Sequence, residues 1–309
     1  TERTPVMGWT TSDLIDLTGR RVVVTGANTG LGAAAATALA SRGADVTLAV
    51  RTPQRAEGVL ADIQRSGGHA RIEQLDLASL DSIRAFASRI DGPIDLLLNN
   101  AGVMAPRQHG RTVDGFETQF GTNHLGHFAL TGLLMPRLLD AESPRVTTVA
   151  SIAHQRGDGG VLAGNPPEGY SPQKSYGQSK LANVLFAQEL HRRASAAGSR
   201  LTSTAAHPGV SNTELLTRSE GMGAMWVVRT LGPSVMGLFV PGPERSCESL
   251  LYAATVGSPG SYTGPKGPAE VRGAPGPARL SRYAKDEQLA QALWTRSEEL
   301  TGVRYPTLT

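Results

Sequence analysis

Short apolar runs alternate with longer segments of helical periodicity through the first two-thirds of the chain. The apolar runs predict strands at residues 21–25, 45–50, 70–75, 94–99, 145–150 and 201–206. The segments between and after them predict helices at residues 31–42, 53–66, 79–90, 115–139, 176–197 and 285–300. Strands that are apolar throughout and alternate with helices indicate a parallel sheet covered on both faces. The pattern therefore predicts an α/β fold with a doubly wound sheet.

Two segments interrupt this pattern. Residues 156–174 are rich in Gly and Pro, which favours a long loop. Residues 258–280 have the same composition, so we expect irregular structure there and a largely irregular C-terminal region over about 258–309. Because no repeat and no linker divides the chain, we predict one domain over residues 1–309.

The composition narrows the class of protein. Of 309 residues, 39% are hydrophobic and 18% charged, which is typical of a globular protein with a core. The net charge of +3 comes with scattered arginines, so solvated faces are favoured over nucleic-acid binding. A single cysteine, Cys247, excludes an intrachain disulfide and a cysteine metal site, and favours a cytoplasmic location. Its helical surroundings favour a small core residue over a nucleophile.

The longest apolar stretch, residues 222–240, is a poor membrane span because Arg229, Gly232 and Pro233 interrupt it. The N-terminal residues lack the apolar run of a secretory signal. We therefore expect neither a transmembrane segment nor secretion.

The first predicted strand leads directly into a glycine-rich turn, Thr25-Gly26-Ala27-Asn28-Thr29-Gly30-Leu31-Gly32, and then a helix. Glycines let the backbone approach a pyrophosphate, which the amides at the helix N-terminus then hold. An ordinary glycine-rich loop is the alternative. The spacing Gly-x-x-x-Gly-x-Gly also departs from the general dinucleotide fingerprint.

The second predicted strand ends at Arg51, and no carboxylate lies between Val46 and Gln54. An acidic side chain at this point would bind the ribose 2′-hydroxyl of NAD, whereas an arginine accommodates the 2′-phosphate of NADP. The position favours NADP(H), with NAD(H) possible if Arg51 is only a surface charge.

Tyr176 and Lys180 are four residues apart in a predicted helix and so share one face. A cation held beside a phenol favours the phenolate and makes the hydroxyl useful for proton transfer. The spacing also arises by chance, so the pair gains meaning only from a cofactor site elsewhere in the chain.

Four motifs together resemble the short-chain dehydrogenase/reductase family: Thr25-Gly26-(x)3-Gly30-x-Gly32, Asn99-Asn100-Ala101-Gly102, Tyr176-(x)3-Lys180 and Pro208-Gly209, in that order. Three further segments are similar to its retinol-dehydrogenase-like and WW-domain-oxidoreductase-like branch: Asn123-His124-Leu125-Gly126-His127-Phe128, Ser151-Ile152-Ala153-His154 and Ser179-Lys180-Leu181-Ala182-Asn183. We accordingly expect a single-domain Rossmann fold with the strand order 3-2-1-4-5-6-7.

The resemblance implies four catalytic residues. Tyr176 would be the general acid/base at the carbonyl oxygen, and Ser151 would donate a hydrogen bond to the same oxygen. Lys180 would favour the phenolate and bind the nicotinamide ribose. Asn123 would hold a water that links Lys180 to solvent. From the residues alone, Ser151 could be only a capping hydroxyl and Asn123 only a helix-surface amide.

The resemblance also implies a cofactor site. Asp76 would contact the adenine, and the residues after Gly209 would lie against the nicotinamide. The full predicted set is Gly26, Asn28, Thr29, Gly30, Leu31, Gly32, Arg51, Asp76, Leu77, Asn99, Ala101, Gly102, Tyr176, Lys180, Pro208, Gly209, Val210 and Thr213. No metal site is predicted, because no carboxylate accompanies the histidines at ligand spacing.

The substrate is predicted from the apolar segment at about residues 211–242, whose position matches the family's substrate-covering helices. It suggests a lid over a small lipophilic carbonyl or alcohol, although a helix pair buried in the core or against a dimer partner explains it nearly as well. A homodimer is a default expectation.

The leading hypothesis is an NADP(H)-dependent carbonyl reductase or alcohol dehydrogenase; the alternatives are a non-catalytic NADP(H)-binding regulator and a protochlorophyllide-reductase-like enzyme.

Overall fold

A parallel β-sheet built from the apolar runs of the sequence forms the centre of the molecule. The computed structural model describes residues 8–209 and 242–308. Within them the strands are β1 (Arg21–Thr25), β2 (Asp45–Val50), β3 (His69–Gln74), β4 (Leu96–Asn99), β5 (Arg145–Val149), β6 (Thr202–Ala206), β7 (Tyr262–Pro265) and β8 (Pro275–Pro277). Their order is β3-β2-β1-β4-β5-β6-β7-β8, and only the β7–β8 pair is antiparallel. The predicted order of the first seven strands is confirmed.

Helices cover both faces of this sheet. They are α1 (Gly30–Ala40), α2 (Glu57–Arg65), α3 (Leu80–Arg89), α4 (Thr118–Phe120), α5 (Gly126–Leu139), α6 (Pro172–Ala196), α7 (Pro243–Ser246), α8 (Glu248–Thr255) and α9 (Glu287–Thr301). A π-helical segment, Gly121–Leu125, joins α4 to α5. Short 3₁₀ turns lie at Thr11–Asp13, Pro53–Ala56, Ile152–Arg156, Gly159–Ala163, Pro268–Glu270 and Tyr283–Lys285.

Apolar side chains of the strands pack into two hydrophobic layers, one on each face of the sheet. Val22 and Val24 of β1 pack in a cluster with α1 and α8, whereas Val23 packs on the other face with α3, α5 and α6. Successive side chains of a strand point to opposite faces, so a strand that is apolar throughout has both faces buried. The doubly wound arrangement predicted from the sequence is therefore correct.

The predicted helix over residues 115–139 is wrong at its start and in its winding. Gly115 has a φ of +88°, in the left-handed region, and so cannot continue a helix. The carboxylate of Glu117 instead accepts the amides of Gln119 and Phe120 and begins α4. In the π segment that follows, the amide of Gly126 donates to the carbonyl of Gly121.

Four other predicted segments are corrected. Tyr176 does not open its helix, because α6 begins at Pro172, with Ser171 as its N-cap. The predicted loop at 156–174 contains the 3₁₀ turn Gly159–Ala163 and the start of α6. The region at 258–280, predicted to be irregular, holds β7 and β8; the prolines of β8 are tolerated because it is an edge strand, and Pro265 is the last residue of β7. The last helix, α9, begins two residues later than predicted.

The predicted lid at about 211–242 lies outside the described residues, apart from Gly242. In the part of the chain that the structure describes, no helix combines the length and apolarity that crossing a membrane requires.

Four histidines are buried in this fold: burial lowers the pKa of His154, and it lowers the pKa of the other three, His124, His127 and His207, by a larger amount. His124, in the π segment, has its pKa lowered to about 3, and His127, in α5, to about 4, in both cases chiefly by burial. Burial likewise lowers the pKa of His207, just after β6, to about 3. Because charging a buried imidazole is unfavourable, all three are neutral at pH 7.

These histidines predict a loss of stability on mild acidification. In the unfolded chain a histidine titrates near pH ~6.5, so below that pH the unfolded state binds protons that the folded state refuses. Each of the three should lower the free energy of unfolding by about 1.4 kcal/mol per pH unit as the pH falls from about 6 to 4. Denaturant unfolding at a series of pH values measures this slope. His124→Leu should reduce it, and the exposed His69→Gln should not; a free energy that stays constant between pH 7 and 5 would contradict the assignment.

Candidate active site

A cleft opens at the carboxyl ends of the central strands. It lies beside β1 and β4, the neighbouring strands at which the strand order of the sheet reverses its direction. This is where open α/β sheets bind their ligands. The cleft has a volume of about 510 Å³. Eleven predicted cofactor residues line it: Gly26, Asn28, Thr29, Gly30, Leu31, Gly32, Arg51, Asp76, Leu77, Ala101 and Gly102.

The glycine-rich turn forms the floor of the cleft. Gly26 and Gly30 have φ values of +67° and +57°, which only glycine adopts without strain. A Cβ on Gly32 would lie 2.5 Å from Asn100 Nδ2, and one on Gly26 would lie 3.0 Å from Ala101 Cα. The turn is thus pressed against Asn100 and Ala101, and the first three residues of α1 line the cleft. Such a cradle fits a pyrophosphate.

Polar side chains after β2 and β3 form the far end of the cleft. Arg51 follows β2 directly and has an exposed side chain on the cleft wall. Asp76 follows β3, and its carboxylate also accepts the amide of Ala78 at 3.0 Å, which keeps the loop in place. The two groups lie where the sequence predicted the adenosine half of a dinucleotide.

The prediction for Asn99 is corrected. Asn99 is fully buried and donates to Thr131 Oγ1 at 3.0 Å, so its side chain points towards α5 and not into the cleft. The neighbouring Asn100 lines the cleft, and its amide donates to the carbonyl of Thr25 at 2.8 Å. Successive side chains at a strand end face opposite sides, which explains the exchange of roles.

Sequence reasoning missed several other lining residues: Ala49, Leu75, Asn100, Val103, Thr122, Pro243 and Ser246. Ala49 and Leu75 end neighbouring strands, and their positions in the parallel sheet could have indicated them. Pro243 and Ser246 belong to α7, which is remote in sequence and carries no cofactor motif. Its packing against α1 brings them to the cleft.

Lys180 is not one of the residues that line the cleft, but it lies directly behind the cleft wall at Gly102. A Cβ on Gly102 would be 3.5 Å from Lys180 Nζ and 3.1 Å from Asn123 Oδ1, so both polar groups adjoin the cleft wall. The lysine is 4% exposed, and its Nζ donates to the carbonyl of Val149 at 3.1 Å. It also lies 5.6 Å from the ring centroid of Tyr176, one helical turn earlier in α6. The predicted pair is therefore brought together beside the cleft.

Asn123 is completely buried, so it is not a helix-surface amide. Its Oδ1 accepts the amide of Val103 at 2.8 Å, and its Nδ2 donates to the carbonyl of Val103 at 2.9 Å. Nδ2 also donates to Ser179 Oγ at 3.0 Å, and that hydroxyl donates to the carbonyl of Tyr176. The side chain thus fastens the segment that follows Gly102 to the helix that carries Tyr176 and Lys180.

Ser151 follows β5 and is 2% exposed. Its Oγ accepts the amide of Ala153 at 3.1 Å and caps the 3₁₀ turn, as the structural alternative proposed. A hydroxyl oxygen that accepts an N–H bond keeps its own hydrogen for donation, so the cap and a catalytic role are compatible.

Pro208 and Gly209 follow β6, at the same edge of the sheet. Gly209 has a φ of +83°, and its amide donates to His207 Nδ1 at 3.2 Å. His207 Nε2 in turn donates to the carboxylate of Glu270 at 3.1 Å. Because burial keeps His207 neutral, this contact is a hydrogen bond and not an ion pair. The predicted residues Val210 and Thr213 lie outside the described residues.

The predicted core role of Cys247 agrees with the structure. Its thiol is buried and donates to the carbonyl of Glu244 at 3.1 Å. Burial raises its pKa to about 12, so it carries no thiolate at neutral pH. Among the residues that the structure describes, no three His, Cys, Asp or Glu side chains are grouped so that they could hold a metal ion.

Comparison with known proteins identifies the family. The family model described as short chain dehydrogenase matches residues 20–222. Retinol dehydrogenase 13 of Homo sapiens is 40% identical over 297 residues, which cover 94% of this chain and 87% of that protein. Polyprenol dehydrogenase of Mus musculus is 39% identical over 298 residues, 92% of this chain and 84% of that protein.

A solved structure agrees in fold over nearly the whole chain. The crystal structure of an uncharacterised protein from Mycobacterium paratuberculosis matches with a TM-score of 0.82 and 43% identity, over 97% of this chain and 100% of that one. The cleft, its glycine cradle and these relatives lead to one conclusion. The chain belongs to the short-chain dehydrogenase/reductase family, in its retinol-dehydrogenase-like branch, and is an NAD(P)(H)-using oxidoreductase of the CH–OH/C=O type.

Proposed function

We propose that the protein interconverts a lipophilic carbonyl compound and its alcohol with NADP(H), and that Tyr176 is the general acid/base. The observation that carries this proposal is the position of Lys180 Nζ. A Cβ on Gly102 would lie 3.5 Å from it, so the lysine beside Tyr176 adjoins the wall of the dinucleotide cleft. A proton-transfer pair at that place is what carbonyl reduction needs.

The dinucleotide, when bound, supplies or accepts the hydride. Reduction leaves negative charge on the carbonyl oxygen, which needs hydrogen-bond donors and then a proton. Tyr176 gives that proton in reduction and takes it in oxidation. Ser151, held by its bond to Ala153, donates to the same oxygen and stabilises its charge.

Lys180 serves this proton transfer through its own position. The bond from Nζ to the carbonyl of Val149 fixes the ammonium at the end of β5. The positive charge beside Tyr176 favours the phenolate that forms when the tyrosine gives up its proton. Asn123 holds α6 against Val103 through Ser179, and in our proposal it also belongs to the route by which the proton reaches solvent.

The NADP(H) preference is supported by Arg51. It is exposed on the cleft wall immediately after β2, where an NAD site would have a carboxylate. A guanidinium matches the geometry and charge of a phosphate.

The lipophilic substrate is supported by the names of the relatives, a retinol dehydrogenase and a polyprenol dehydrogenase, and by the apolar sequence at 222–240. A protochlorophyllide-reductase-like activity is disfavoured, because that branch relies on an additional cysteine near the substrate and the one cysteine of this chain, Cys247, is buried with a raised pKa. The non-catalytic alternative predicts cofactor binding without turnover on any carbonyl, and so the tests below separate it from an enzyme.

Tyr176→Phe should abolish turnover while leaving cofactor binding intact, because only the phenolic proton is lost. We expect kcat to fall by roughly 10²- to 10⁴-fold. An NADPH-oxidation assay across lipophilic aldehydes, ketones and quinones measures turnover, and NADPH fluorescence measures binding. Tyr252→Phe is the matched control, since Tyr252 packs against Trp9 away from the cleft. Near wild-type turnover by Tyr176→Phe would overturn the mechanism.

Arg51→Ala should raise the KM for NADPH by roughly 10- to 100-fold, the loss of one charge-assisted contact, and change that for NADH little. Parallel titrations with the two cofactors measure the shift. Arg55→Ala, an exposed arginine on the next 3₁₀ turn, is the control. If the unmodified protein gave the higher kcat/KM with NADH, the argument from Arg51 would be wrong.

A further inference from the structure

The imidazole of His127 joins two parts of the candidate site by direct hydrogen bonds. The residue is fully buried, at the start of α5. Its Nδ1 lies 2.9 Å from the carbonyl oxygen of Asn123. Its Nε2 lies 2.9 Å from the hydroxyl of Thr25, the last residue of β1. One ring therefore contacts both the segment that carries Asn123 and the strand that leads into the glycine-rich turn.

The direction of both bonds follows from the acceptor. A carbonyl oxygen can only accept, so Nδ1 must carry the imidazole hydrogen. Burial keeps the ring neutral, and a neutral imidazole has one hydrogen, so Nε2 is an acceptor. The Thr25 hydroxyl therefore donates to Nε2 at 2.9 Å, the nearer of its two acceptors, since the carbonyl of Leu98 lies 3.4 Å away.

The oxygen of Thr25 can then accept hydrogen bonds through its lone pairs from the turn that follows β4. It accepts the amides of Asn100 and Ala101, each at 2.9 Å. At the opposite end, Asn123 accepts the amide of Val103 at 2.8 Å and reaches α6 through Ser179. The bonds form one continuous path from the cleft backbone at Asn100, through Thr25 and His127, to the helix of Tyr176.

We infer that His127 is a positioning residue that holds the cofactor-binding turns and the Asn123 segment in one fixed arrangement. The expected effect of His127 on catalysis rests on the proposed function. The arrangement of the turns and the Asn123 segment does not, because it is present in the protein without ligand. His127 touches neither cofactor nor substrate in this role. It acts through Thr25 on the cleft backbone and through Asn123 on the Tyr176 helix.

His124 offers a matched comparison within the same stretch of helix. It is equally neutral and 1% exposed, but its Nε2 contacts Ser297 Oγ of α9 at 2.8 Å, outside the cleft. Any effect of merely placing a different side chain in this part of the core should appear at His124 as well as at His127.

The test compares His127→Met, which has neither donor nor acceptor, with His127→Gln, which is similar in size and keeps one of each. Hydrogen exchange of the ligand-free protein is the first readout. In His127→Met, the amides of Asn100, Ala101 and Val103 should exchange on the order of tenfold faster. His127→Gln should recover most of the protection, and His124→Met should leave these three amides within about twofold of the original protein.

Cofactor binding and kinetics are the second readout. NADPH should bind His127→Met about tenfold more weakly, and kcat should also fall, on the order of 10- to 100-fold, as misplaced catalytic groups predict. His124→Met should lower the melting temperature without this loss. Equal changes in both methionine variants, or no change in His127→Met, would overturn the inference. If the unmodified protein reduced no carbonyl, the proposed function would fail, and the exchange and binding data would still decide the role of His127.

A second variant covers the case in which His127→Met does not fold. Thr25→Val breaks the path at its other end, and Thr25→Ser keeps the hydroxyl. If His127 transmits the constraint, Thr25→Val should speed exchange at Val103, which bonds to Asn123 and not to Thr25. Unchanged exchange at Val103 in Thr25→Val would show that the path through His127 carries nothing.

Discussion

The contact between two backbone turns, one after β1 and one after β4, constrains the rest of the site. A Cβ on Gly26 would lie 3.0 Å from Ala101 Cα, so the turns touch without side chains between them. The hydroxyl oxygen of Thr25 accepts hydrogen bonds from two amides of the second turn, so a movement of either turn alone would break these bonds. These bonds join the floor and the inner wall of the cleft into one connected unit.

Burial sets a second constraint on this unit. Lys180, Asn123, His127 and Ser151 are each 4% exposed or less, and polar groups in such a place are stable only with partners. The carbonyl of Val149, the peptide of Val103 and the amide of Ala153 supply those partners. The structural and catalytic interpretations of these residues are therefore not alternatives. A capping hydroxyl or a buried amide is oriented by the bonds that satisfy it, and orientation is what a proton-transfer site requires.

Local patterns explain why so much of the nucleotide half was predictable from the sequence. A strand, a glycine turn and a helix follow one another directly, so neighbours in sequence are neighbours in the cleft. It was not predictable that Asn100, and not Asn99, lines the cleft, because this depends on the side of the sheet that each side chain faces where β4 ends. Nor did any local signal distinguish His127 from His124; only the packing of α5 against β1 does so. The prolines of β8, which its edge position tolerates, hid that strand in the sequence pattern.

The loop between β7 and the edge strand β8 holds the turn after β6, a connection that the sequence pattern does not reveal. Ala269 and Glu270, in the loop between β7 and β8, have φ values of 52° and 56°. Left-handed backbone at such residues costs on the order of 1–3 kcal/mol each, so the surrounding contacts must hold it. The Glu270 carboxylate accepts bonds from His207 Nε2 and from the amide of Arg279, which ties the strained loop to the end of β6. Since His207 also accepts the amide of Gly209, the Pro208–Gly209 turn is fixed by a loop some sixty residues further along the chain. The two turns after β1 and β4 are thus held through His127, and this third turn after β6 is held by His207, so each of these two buried neutral imidazoles fixes a turn beside the site.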